Sequence, residues 1–131
     1  MCHFITVGIP GEGGAALPKH RGFRVFRQEN ASISRSLPAG HSLWVITSNG
    51  CSCDLCLSDK SRLGKLRLRD DAAEYVLELV RERGPIHMLI HWYFGDLASE
   101  KVVAFNGKEI SLRELVSCEF EPDTILKLRE A

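Results

Sequence analysis

Residues 2 to 9 alternate and carry Phe4, Ile5, Val7 and Ile9, which predicts a first strand ending at Pro10. The stretch 10–22 is rich in glycine and proline and reads as a loop. Phe23 to Arg27 alternates again, as a short strand with a basic outer face. Asn30 to Ser36 is polar, and its pattern leaves the element open. Ser42 to Ser48, with Leu43, Trp44, Val45 and Ile46, predicts another strand, and Asn49-Gly50 a tight turn after it. Ala72, Tyr75, Val76, Leu79 and Val80 recur at helical spacing, so a main helix is expected over about 70–83. Asp70 and Asp71 offer N-cap chemistry, with Glu74 completing a capping box, and Gly84-Pro85 stops the helix.

The most apolar stretch, Ile86 to Phe94, fits one buried strand of about 30 Å. Ile86, Met88, Ile90, Trp92 and Phe94 should point one way, and His87, Leu89, His91 and Tyr93 the other. Lys101 to Phe105 reads as a strand, Asn106-Gly107 as a type I′ hairpin turn, and Lys108 to Ile110 as the strand pairing back. Ser111 and Glu114 form a second capping box, opening a short helix over about 111–117. Thr124 to Leu128 closes the chain with a last strand. The order predicts an α+β fold: a mostly antiparallel sheet with both helices packed on one face.

The 131 residues suit a single domain, 1–131. Hydrophobic residues at 44% and charged residues at 26% exclude wholesale disorder. Seventeen Lys and Arg balance seventeen Asp and Glu, so no global field favours nucleic acid or a membrane surface. The opening residues show no basic region followed by a hydrophobic one, which predicts a cytoplasmic protein.

Chemistry concentrates in the cysteines. Three of five lie within Cys51-Ser52-Cys53-Asp54-Leu55-Cys56, a poor disulfide framework that suits reduced thiols. Cys51, Cys53 and Cys56 have spacing that could hold zinc, with Cys2 or His3 as a fourth ligand; His41 and Cys118 are weaker choices. Against this stands packing of the cysteines as small hydrophobes, which is favoured, so no cofactor is expected and zinc is the alternative. The Cys53–Cys56 pair does not open a convincing helix, as thioredoxin-like chemistry requires. Cys2 as an N-terminal nucleophile is disfavoured because His3 follows it. His87 and His91 share a strand face but lie about 13 Å apart, too far for one metal. Asp96 and Glu100 read as solvated loop charges. No catalytic signature is assembled.

The segment 58–69 is expected as an exposed basic connection. Lys60, Arg62, Lys65, Arg67 and Arg69 lack interleaved aromatics for base stacking, which points away from nucleic acid and toward a protein partner. The opening Met-Cys-His-Phe-Ile-Thr, the segment Gly50-Cys51-Ser52-Cys53, and His91-Trp92-Tyr93 with Gly95-Asp96 together resemble a group of small uncharacterised bacterial proteins. The resemblance implies a bacterial cytosolic protein and carries no activity. The expectation is a non-enzymatic protein-binding module, most concretely an immunity protein that neutralises a cognate toxin domain. A small zinc protein centred on Cys51, Cys53 and Cys56 is the alternative.

Overall fold

The computed structural model describes residues 2–11, 22–48, 52–59, 65–115, 117 and 119–130. Eight strands are defined in chain order: β1 Cys2–Pro10, β2 Arg24–Arg27, β3 His41–Thr47, β4 Cys56–Asp59, β5 Lys65–Leu68, β6 Ile86–Tyr93, β7 Phe105–Ser111 and β8 Thr124–Arg129. Three helices accompany them: α1 Ala31–Ser36, α2 Asp70–Arg83 and α3 Leu112–Leu115. Six strands form one sheet in the order β2-β3-β1-β6-β8-β7. All its pairings are antiparallel except β7 with β8. The architecture is α+β.

Alternation in the central strands sorts the core into two layers, because successive side chains leave opposite faces. One face carries Ile5, Val7, Ile9, Trp44, Ile46, Ile86, Met88, Ile90, Leu126 and Leu128. Helix α2 covers it with Tyr75, Val76, Leu79 and Val80, and Leu115 of α3 joins the same layer. The opposite face carries Phe4, Val45, Leu89, Tyr93 and Ile125, covered by Ile33 and Leu37 from α1 and its exit, and by Val102. The face assignment expected for β6 therefore holds through Ile90. Phe94 lies beyond the strand end and is exposed.

Several local details differ from the sequence reading. The polar segment around Asn30 is a helix, because the Asn30 side chain caps it: Oδ1 accepts from the Ser32 and Ile33 N–H groups at 3.0 and 3.2 Å. The N-cap of α2 is Arg69, which makes no side-chain cap bond; Asp71 sits in the first turn and grips Arg69 at 2.6 and 2.7 Å. Residues 101–104 are not a strand, and Asn106-Gly107 is not a hairpin turn. Both lie in or before β7, which runs parallel to β8 with a register shift between Asn106 and Glu109. Gly107 is needed there for space: a Cβ would come within 2.4 Å of Thr124 Cγ2 and 2.5 Å of the Ile125 carbonyl oxygen.

The segment expected as an exposed connection contains half of a two-stranded ribbon, β4 against β5. Lys65 and Arg67 are exposed as expected, whereas Leu66 and Leu68 between them are buried. The ribbon is anchored by the Leu66 and Phe120 backbones, which exchange hydrogen bonds of 2.7 and 2.9 Å. Lys60 and Arg62 lie outside the described residues. Among the described residues, no helix is long and apolar enough to cross a membrane.

Candidate functional site

The polar centre of the molecule forms where β6 ends. His91 stands on the α1 side of the sheet with a carboxylate at each ring nitrogen. Nδ1 lies 2.5 Å from Asp123 Oδ1 and Nε2 2.6 Å from Glu100 Oε2, both within hydrogen-bond reach. His91 has both ring nitrogens engaged by carboxylates, and its side chain is 13% exposed. It acts as a brace between distant parts of the chain.

Glu100 is the second arm of that brace. Its other oxygen, Oε1, accepts from the Phe94 and Gly95 N–H groups at 2.9 and 2.7 Å. Hydrogen bonding from His91 holds its carboxyl below the usual glutamate range, and the two backbone donors act in the same direction. Asp123 is the first arm. It precedes β8 with a φ of 63°, a left-handed conformation that aspartate tolerates better than most residues. Its N–H donates to the Ile90 carbonyl at 2.8 Å, and its own carbonyl accepts from Phe105 N–H at 2.7 Å. The brace thus fixes the backbone at both Phe94 and Phe105.

Asn30 fixes the segment between them. Its Nδ2 donates to the Leu97 and Glu100 carbonyls, both at 2.8 Å, while its Oδ1 caps α1. Ser32 Oγ then accepts from Val102 N–H at 2.9 Å. Asn30 is 1% exposed, and its amide joins two parts of the chain: Oδ1 has its partners on α1 and Nδ2 on the 97–100 segment. Val102 points inward and Val103 outward. The outcome is a pinned frame that presents Phe94, Val103 and Phe105 to solvent at 73%, 57% and 64% exposure. Aromatic contacts extend inward from the brace: His91 meets Tyr93 edge-on at 4.6 Å, and Tyr93 meets Phe4 at 5.4 Å. Burial pushes the Tyr93 hydroxyl up to about 12.

The residues singled out in the sequence are dispersed. Arg69 is engaged by Asp71, and Lys65 shares a depression with the acids Glu119 and Glu121, so these cations do not form a uniform positive patch. Cys51 and Cys118 lie outside the described residues. Cys2 packs beside the α1-side core, whereas Cys56 belongs to the layer under α2, so the sheet separates them. His3 and Cys53 do meet: the His3 N–H points at Cys53 Sγ at 3.3 Å. Among the described residues no three His, Cys, Asp or Glu side chains converge as a metal site. What seats this segment against β1 is Ser52, fully buried. Its N–H donates to the His3 carbonyl at 2.8 Å, its Oγ accepts from Ile5 N–H at 2.9 Å, and its hydroxyl donates to the Ile46 carbonyl.

Asn30, Glu100 and Asp123 were not visible as a unit in the sequence. Glu100 is not the solvated loop charge it resembles there; its side chain is 18% exposed and fully engaged. No family model, curated protein or solved structure matches the chain.

Proposed function

We propose that this chain is a non-enzymatic protein-binding module whose contact surface centres on Phe94, Val103 and Phe105. The observation that supports this is their exposure, at 73%, 57% and 64%, on a frame tied by His91 and Asn30. Large apolar side chains held rigidly in water are the usual anchors of an interface, because burying them against a partner releases ordered solvent at little conformational cost. Lys65 and Arg67 are exposed cations and would contribute encounter rate more than affinity. The concrete form is an immunity protein of the bacterial cytoplasm that neutralises a cognate toxin domain.

The test is affinity capture from the native host with the wild-type chain, a Phe94→Ser/Phe105→Ser variant and a Lys65→Ala/Arg67→Ala variant. A stoichiometric protein should be retained by the wild type and by the second variant, and lost with the first. Purified, that partner should have a toxic activity that the chain inhibits. Capture of nothing, or equal capture by all three, overturns the reading. One equivalent of zinc in the purified protein, with loss of function on changing Cys53 to serine, replaces it by the zinc alternative centred on the Cys51, Cys53 and Cys56 cluster.

A further inference from the structure

A cavity of about 270 Å³ lies on the α1 side of the sheet, and neither Phe94 nor Phe105 lines it. Phe4 and Val45, both buried in the sheet, line its inner part, and Phe26, Leu97 and Ala98 line the outer part. Phe26 is 40% exposed, so the cavity reaches the surface beside it. The Leu97 wall is set by the Asn30 amide at 2.8 Å, and the Phe4 ring by its edge-on contact with Tyr93. The space is therefore built before any occupant arrives.

Of its polar neighbours, Gln28 and Arg27 are engaged elsewhere. Gln28 Nε2 donates to Thr6 Oγ1 at 2.8 Å, and Gln28 Oε1 accepts from Asn30 N–H at 3.0 Å. Arg27 carries its guanidinium over the Trp44 ring at 4.3 Å, and Trp44 belongs to the core layer on the other side of the sheet. Glu29 is exposed to water. An anionic group entering here would lose hydration and meet the exposed Glu29 carboxylate. An apolar cavity of about 150 Å³ stays dry and takes a single benzene ring. The present one is larger and has phenylalanine rings at both its inner and outer parts.

We propose that this cavity is a binding site for a small, uncharged aromatic molecule of one or two rings, seated between Phe4 and Phe26. Ring–ring contact in offset or edge-on geometry supplies the specificity. The site is independent of the protein-binding surface, and neither reading requires the other.

Titration of the full chain with indole, followed by amide resonances, tests it. Saturable shifts are expected at Phe4, Phe26, Val45 and Leu97. The anionic relative indole-3-acetate should bind at least about tenfold more weakly. Ala98→Trp, at an exposed rim position, should fill the space and weaken indole at least about tenfold while the remaining resonances stay in place. Phe26→Ala, which leaves the sheet core untouched, should weaken it as well. No saturable shift with the wild type, binding unchanged by both variants, or indole-3-acetate binding as well as indole would each overturn the proposal.

Discussion

Replacing Asn30 with alanine removes one buried side chain that joins two elements. Its Oδ1 caps α1, and loss of such a cap costs about 1 kcal/mol. Its Nδ2 donates two 2.8 Å bonds, to the Leu97 and Glu100 carbonyls, each worth about 1 kcal/mol net. The sum is about 3 kcal/mol, a large part of the roughly 5–15 kcal/mol that holds a domain of this size. With a urea slope of about 1.5 kcal/mol/M, the unfolding midpoint should fall by about 2 M at unchanged slope. Asn30→Ser separates the two contributions. It keeps a capping oxygen and loses both donors, so its midpoint should fall by about 1.3 M, at the same slope. Equilibrium urea unfolding followed by far-UV circular dichroism reads both. A shift below about 0.5 M for Asn30→Ala, or a serine variant equal to wild type, would refute the assignment of Asn30 as the joint between α1 and the 97–102 segment.

Removing the Glu100 carboxylate by Glu100→Ala should speed hydrogen exchange at the Phe94 and Gly95 amides by about tenfold or more, with β1 unchanged. Unchanged exchange at those two amides would contradict the brace. Gly107→Ala should destabilise the β7–β8 pairing by about 1–3 kcal/mol in the same unfolding assay, since the added Cβ meets the Ile125 backbone. Stability should also fall with acid. Burial holds His3 and His87 below the ordinary histidine value of 6.5, so the unfolded chain takes up protons first as pH drops below 6.5. Glu100, held below its ordinary 4.5 by His91, adds a further loss as pH falls through that lower range. A thermal midpoint that rises between pH 7 and pH 4 would be the wrong sign.

The helix α2 and the strands β1, β3, β6 and β8 are legible in the sequence because each buries a face at its own period. The spacing of Tyr75, Val76, Leu79 and Val80, or of Ile86, Met88 and Ile90, is sufficient by itself. The alternation of Lys65, Leu66, Arg67 and Leu68 carried a strand signal too, masked by the density of cations around it. Asn106-Gly107 misleads for a different reason. The same dipeptide that makes a hairpin turn also supplies a residue without a Cβ, and here the close approach of β8 uses the second property.

Local pattern thus determined α2, the central strands and which side of each is apolar. Tertiary structure alone decided that β7 runs parallel to β8, and that His91, Glu100 and Asp123 meet although Asp123 lies 32 residues from His91 along the chain. Charged side chains carry no period that records their partners. Which carboxylate reaches which nitrogen is set only when strands from separate parts of the chain are laid side by side, and the exposed Phe94 and Phe105 are held in place by that same juxtaposition.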